Sequence, residues 1–183
     1  MTFEAPLPPV LRAGRAEDAR ALAALHVEVW RETYAGIAPP EAMARLDEAH
    51  RLPFWQALLA GGAPQSGAIV ACRGDALLGV ASLAPASQAA HDGATEITHL
   101  YVRRSARGTG LGARLLLAAL ERIAAEGGVA AALSVVAENT RARAFYARMG
   151  GTEAERFTDP GPLWRSTNIV VRWSLSRDRA GPA

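Results

Sequence analysis

A hexapeptide in the middle of the chain, Arg107-Gly108-Thr109-Gly110-Leu111-Gly112, carries residue types suited to holding a phosphate. Glycines at alternate positions leave the backbone bare, so several N–H groups can turn toward one anion. An apolar stretch from Ile97 to Val102 runs into the loop and reads as a strand. A longer one from Leu111 to about Ala125 runs out of it and reads as a helix. The helix places its positive N-terminal end at the same spot, and Arg107 sets a fixed charge at the rim. Glycine needed only for positive φ is the plainer reading. The regular spacing between a buried strand and a helix favours phosphate.

Two ligand classes fit such a loop. Gly108, Gly110 and Ala113 match G-x-G-x-x-A, the dinucleotide fingerprint, and Glu138 follows an apolar strand as a ribose-binding acid would. Against this, Arg103 to Arg107 separate the strand from the glycines. The chain beyond Glu138 is also too short to complete a doubly wound sheet. A nucleotide-dependent oxidoreductase is therefore the weaker expectation. In the second class, Arg107-x-x-Gly110-x-Gly112 resembles the Gln/Arg-x-x-Gly-x-Gly/Ala pyrophosphate motif of the GNAT N-acetyltransferases, which bind acetyl-CoA. Leu100-Tyr101-Val102 resembles the strand end that precedes it in that family. Asn139-x-x-Ala142-x-x-Phe145-Tyr146-x-x-x-Gly150 resembles the family's second motif. The resemblance is firm from about Glu96 to Phe157, and it is specific because three motifs keep their order and spacing.

The resemblance implies transfer of an acetyl group from a thioester to an amine. The attacking nitrogen must be neutral, and an alkyl amine has a pKa near ~10.4, so a general base helps. Glu96 corresponds to a glutamate that serves some family members as that base, often through water. Tyr146 corresponds to the tyrosine near the sulfur and is the expected acid for the departing thiolate. Leu100, Tyr101 and Val102 are expected to pair with the pantetheine arm as an added strand would. The N–H near Leu100 would polarise the carbonyl. Arg107, Gly108, Thr109, Gly110, Leu111, Gly112 and Ala113 would hold the pyrophosphate, and Asn139 would touch the pantetheine or adenosine arm. Arg103, Arg104, Arg141 and Arg143 are candidates for the 3′-phosphate. A non-catalytic acyl-CoA-binding sensor on the same fold is the alternative.

These residues need elements to position them. Val10 to Arg12 reads as a first strand. Glu17 to about Thr33 reads as a helix with acids in its first turn and a stripe of Leu22, Leu25 and Val29. Trp30 and Tyr34 end it and either fill a core or wall an acceptor pocket; the stretch around them is similar to one in small bacterial GNAT enzymes. Pro40 to Leu46 and Leu52 to Ala60 read as short helices. Ala68 to Cys72 and Leu77 to Leu83 read as a hairpin, followed by a polar loop in which His91 is solvated.

In the fourth strand, Glu96 to Val102, period two places Glu96, Thr98, Leu100 and Val102 on one face. Ile97, His99 and Tyr101 take the other. His99, whose pKa suits base work, is then turned away from Glu96 and reads as a core histidine. Val129 to Ala137 reads as a buried strand parallel to the fourth, joined to it by a right-handed crossover. Asn139 caps a helix reaching Met149, with Phe145 and Met149 facing the core and Tyr146 the cleft. Thr152 to Phe157 and Asn168 to Leu175 close the sheet. The expected fold is one α/β domain over 1–183 with a mixed, largely antiparallel sheet and a splayed parallel pair, its ends (1–9 and 176–183) flexible.

Composition narrows the classes. The chain has 183 residues, half of them hydrophobic, and no run long enough to span a membrane. Nothing at the start reads as a signal peptide, and Cys72 is the lone cysteine, so a cytoplasmic protein is expected. A net charge of +2 gives no case for nucleic acid. The four histidines are scattered without ligand spacing, so no metal is expected. Glu28, Glu32 and Asp159 are an acidic wall for a cationic acceptor. A small amine is the first expectation for that acceptor and a protein N-terminus the second. The resemblance leaves the oligomeric state open, with a homodimer as the family expectation.

Overall fold

The structure is a computed structural model that describes residues 8–175; the ends expected to be flexible lie largely outside them. Seven strands form one sheet in the order β1-β2-β3-β4-β5-β7-β6. They are β1 (Val10–Ala13), β2 (Gly67–Arg73), β3 (Ala76–Ala84), β4 (Thr95–Val102), β5 (Ala130–Val136), β6 (Thr152–Asp159) and β7 (Ser166–Ser174). All neighbours are antiparallel except β4 and β5. A parallel pair cannot be closed by a hairpin, and the connection is helix α4 (Leu111–Ala125). The mixed sheet with a parallel fourth and fifth strand is the fold the sequence implied.

The helices cover both faces. Leu111, Leu115, Leu116, Ala119 and Ile123 of α4 bury against Leu83, Ile97, Leu133 and Ile169. On the other face lie α1 (Ala19–Tyr34), α2 (Pro40–Arg45) and α3 (Glu48–Ala60). There Leu22, Leu25, Val29 and Trp55 pack on Val70, Cys72 and Val80. Cys72 is a core residue. Helix α5 (Thr140–Arg148) sits beside β6.

Two helix starts differ from expectation for capping reasons. Asp18 precedes α1 and is buried. It accepts from Arg12 at 2.7 and 2.8 Å and from the Arg15 N–H at 2.8 Å, tying the helix to β1. Helix α3 begins at Glu48 rather than Leu52, because the Asp47 carboxylate accepts from the His50 N–H at 2.7 Å. Pro53 falls inside α3, and the helix continues past it.

Close packing of α4 depends on one glycine. A Cβ at Gly79 would lie 2.7 Å from the Tyr101 carbonyl oxygen and 2.9 Å from Leu115 Cδ1. Gly79→Ala is expected to destabilise the fold by about 1–3 kcal/mol, the usual cost of overpacking, in denaturant unfolding. Unchanged stability would show that α4 can retreat from β3 freely.

The alternation expected of β4 is broken. Ser82 pairs with His99 and Leu83 with Ile97, so Thr98 is an extra residue, a β-bulge. The bulge reverses the phase. Ile97 joins Leu100 and Val102 in the α4-side core, whereas Tyr101 packs on the α1–α3 side. Glu96 therefore shares a face with His99 and Tyr101, and the expected opposition of Glu96 and His99 is overturned. Ala132, paired with Glu96, lies on that same side in a small cluster with Ala94 and Val170.

Candidate active site

β4 and β5 pair only at Thr95–Ala131 and Glu96–Ala132. From Ile97 onward the β5-side edge of β4 has no strand partner, and the two strands diverge toward their C-terminal ends. The glycine loop sits there. Gly108 and Gly110 have φ of +77° and +80°, the left-handed region that glycine enters without strain. No N–H from Gly108 through Ala113 makes a well-formed hydrogen bond within the described residues. The first to do so is Arg114, which donates to the Gly110 carbonyl at 3.1 Å. Six consecutive donors are thus left without a well-formed partner at the N-terminal end of a fifteen-residue helix. The Thr109 hydroxyl donates to the Ala106 carbonyl at 2.8 Å and fixes the turn.

The Arg107 guanidinium is turned back from this cradle. It donates to the Val102 carbonyl at 2.9 Å and pairs with Glu32 at 2.8 Å. Arg103 likewise donates to the Leu77 carbonyl and pairs with Glu28. These pairs tie α1 to the end of β4 and overturn the acidic wall, because Glu28 and Glu32 are already neutralised. Asp159 spends its carboxylate on the Gly161 N–H and the Asn168 amide. Arg143 is held by Glu153 and the Ala137 carbonyl. Of the four arginines suggested for the 3′-phosphate, Arg104 and Arg141 alone have no side-chain partner among the described residues.

Glu96 is 8% exposed. Its carboxylate accepts from the Ser87 N–H at 2.9 Å and lies 3.4 Å from His91 Nδ1. Burial opposes its charge, but His91 and Ser87 together outweigh burial and hold it below the usual carboxylate range. His91 is the residue that sequence reasoning missed. Expected in a solvated loop, it is fully buried on a short turn, Ala89–His91, with Nε2 at 2.8 Å from the Ser134 hydroxyl. Its neighbours are small and polar and gave no sign that one member folds inward.

Three phenols converge near the open end of the strands. Tyr34 ends α1, Tyr101 lies on β4 and Tyr146 on α5. Each lies close enough to the others for their charges to interact. Burial raises the pKa of all three, and Tyr34 is pushed up to about 12 with the Asn139 side chain opposing. Tyr146 belongs to the buried core, edge-on to Trp173, while Phe145 and Met149 only flank that core. Phe145 and Met149 thus pack on the core as expected, and Tyr146 is more buried than its place on the cleft side implied. The Tyr146 hydroxyl makes no hydrogen bond among the described residues. Asn139 Oδ1 caps α5 by accepting from the Ala142 N–H at 3.2 Å.

Trp30 and Tyr34 gain a third partner, Trp164 from the β6–β7 loop. The ring centroids stand 5.1–5.5 Å apart in the three pairs. Trp30 is core, whereas Tyr34 and Trp164 are half-buried. His99 Nδ1 lies 2.9 Å from the Ser82 hydroxyl, and burial pushes its pKa down to about 3, with the Arg51 charge adding and Glu96 opposing. His26 lies with its ring tilted 4.7 Å from that of His99 and is likewise kept neutral by burial. His50 is exposed on α3. A cradle of donors at the mouth of a split sheet, with an ionised carboxylate and a protonated phenol behind it, can bind a polyphosphate and move protons beside an extended ligand.

Comparison with known proteins bears on this arrangement. The yncA protein of Salmonella typhimurium, whose structure holds its cofactor acetyl-CoA, superposes with a TM-score of 0.70 at 17% identity, over 97% of this chain and 99% of that one. A GCN5-related N-acetyltransferase from Rhodopseudomonas palustris gives 0.72 at 23% identity, over 94% and 99%. The PaiA N-acetyltransferase of Thermoplasma acidophilum, in complex with coenzyme A, gives 0.69 at 20% identity, over 92% and 99%. At these identities the likeness shows the fold. No curated protein gave a significant match. The model of the Acetyltransferase (GNAT) family matches residues 20–151, and the chain belongs to that family.

Proposed function

We propose that the protein transfers the acetyl group of acetyl-CoA to a primary amine, of a small molecule first and of a protein N-terminus second. The observation that carries this is the row of six unpartnered N–H groups, Gly108 to Ala113, where β4 and β5 part. Those donors suit a pyrophosphate, and the unpaired edge of β4 at Leu100, Tyr101 and Val102 suits the amide-bearing arm that continues from it. Asn139 borders the arm from α5. The amine nitrogen attacks the thioester carbon, the C–S bond breaks, and a backbone N–H near Leu100 stabilises the oxyanion. Glu96 accepts the amine's proton through water, and Tyr146 returns one to the sulfur. Tyr34 and Trp164 wall the acceptor side, backed by the buried Trp30. No described helix is long and apolar enough to cross a membrane. The lone buried thiol favours a cytoplasmic setting.

Thermal-shift titration with acetyl-CoA and, separately, NAD tests this reading. Acetyl-CoA is expected to raise Tm in a concentration-dependent way and NAD is not; the reverse would restore the oxidoreductase. For the base, Glu96→Gln keeps the size and can still accept from Ser87. With a good acceptor its kcat/KM is expected to fall by about 10²–10⁴. Wild-type values across pH 6 to 9 would remove Glu96 from the chemistry. The same variant has a stability signature. The folded-state pKa of Glu96 lies below the unfolded value of ~4.3, so its ionised form stabilises the fold above that pH. That contribution is lost as pH falls through the folded value. The stability gap between wild type and variant should therefore narrow on acidification.

A further inference from the structure

We propose that Arg51 receives a carboxylate of the acceptor, so that the amine acetylated belongs to an amino acid or a similar amino carboxylate. This rests on the N-acetyltransferase reading above and names its substrate class. Arg51 stands on the first turns of α3, four residues before Trp55, so both side chains share one helix face. Trp55 is fully buried beside His26 and His99. Arg51 is itself half-buried, and its Nε is sealed from solvent without a hydrogen bond. No acid lies within ion-pair distance of it among the described residues. Its two terminal nitrogens make no hydrogen bond among the described residues and stay open to solvent, so the fork is free to receive a carboxylate.

The surroundings have the same character. Trp55, one turn on along α3, packs on His99 of β4, and the Arg51 charge acts on His26, His99 and Tyr101, so Arg51 lies by that face of the strand. Both imidazoles are neutral there and do not compete for an anion. Trp55 Nε1, a donor only, is a second sealed and unpartnered atom in this cluster, and His26 Nδ1 a third. The Tyr101 hydroxyl is also without a partner. The cluster offers donors and one cation, and the acid whose charge reaches it, Glu96, is held by Ser87 and His91. A carboxylate matches the planar fork of a single guanidinium. Tyr101 lies on the strand edge assigned to the thioester arm, and the Tyr34 and Tyr146 phenols lie near it. An anion on Arg51 would thus leave a neighbouring amine close to the acetyl carbon. Neutralisation of Glu28 and Glu32 by Arg103 and Arg107 removes the competing case for a cationic acceptor.

The test is turnover of matched acceptors by the wild-type protein, following thiol release. The acceptors are the L-amino acids, their α-amides and their decarboxylated amines. The best amino acid is expected to exceed its own amide and amine in kcat/KM by about 10–10²-fold, the range for a hydrogen-bonded charge pair. Arg51→Met should abolish that preference through KM while amide turnover persists, and Arg51→Lys should keep part of it. Preference for amides or decarboxylated amines in the wild type overturns the proposal. So does an unchanged preference in either variant. If Arg51→Met does not fold, the wild-type ratios and Arg51→Lys still decide. Turnover confined to carboxylate-free amines sinks the carboxylate site alone. Absence of turnover with every acceptor, despite acetyl-CoA binding, sinks the acetyltransferase reading with it.

Discussion

Replacing Gly110 with aspartate is expected to lower acetyl-CoA affinity by about 10³-fold while the circular dichroism spectrum stays native. Gly110 sits at φ +80° with nothing within 4 Å of where a Cβ would project, so the side chain has room. The left-handed backbone adds ~1–2 kcal/mol of local strain for a residue with a Cβ. The larger effect is charge. A carboxylate about 4 Å from a pyrophosphate repels it by ~4 kcal/mol at an effective dielectric of 20, which is near three decades in Kd. The new carboxylate would also occupy the N–H groups meant for the ligand. Gly110→Ala separates the two contributions, since it carries the strain without the charge and should lose about tenfold or less. Calorimetry reads both. An unchanged Kd in Gly110→Asp would remove the loop from the site.

The second large effect is expected at Tyr146. Tyr146→Phe deletes one oxygen that makes no hydrogen bond among the described residues and leaves the edge contact with Trp173 in place. Stability should therefore hardly change, whereas kcat should drop by about 10²–10⁴ with acetyl-CoA affinity preserved. The phenol is 9% exposed, and burial raises its pKa, so it is fully protonated at neutral pH. The same low-polarity setting raises the proton affinity of a thiolate formed beside it, so the donation is not lost to the weaker acid. A kcat within a factor of about three of wild type, with chemistry shown to limit the rate, would reduce Tyr146 to a core aromatic.

The glycine loop was legible because strand, turn and helix each left a mark in sequence: an apolar run, left-handed glycines and a second apolar run. The short β4–β5 pairing followed from the same motifs. Side-chain direction around the site was less legible. The bulge at Thr98 moves every residue N-terminal to it onto the opposite face, and a one-residue insertion has no composition of its own. Strict alternation therefore separated Glu96 from His99, which share a face. Long-range partners were also hidden. Arg103 and Arg107 meet Glu28 and Glu32 from some 75 positions away in the chain, and only the folded sheet brings them together. Surface acids that looked available to a substrate are thus spent on holding α1. His91, Trp164 and Arg51 came from stretches read as loop or plain helix, where isolated residues turn inward without periodicity.

Acetyl transfer itself is tested most directly by incubating the wild-type protein with acetyl-CoA and an amine panel that includes the amino acids. Free CoA is measured by its thiol and N-acetylated product by mass. Equal moles of CoA and a single N-acetyl product, both absent without the amine, are expected. Saturable acetyl-CoA binding with neither thiol release nor acetylated product from any amine would contradict catalysis and leave the fold a binding module.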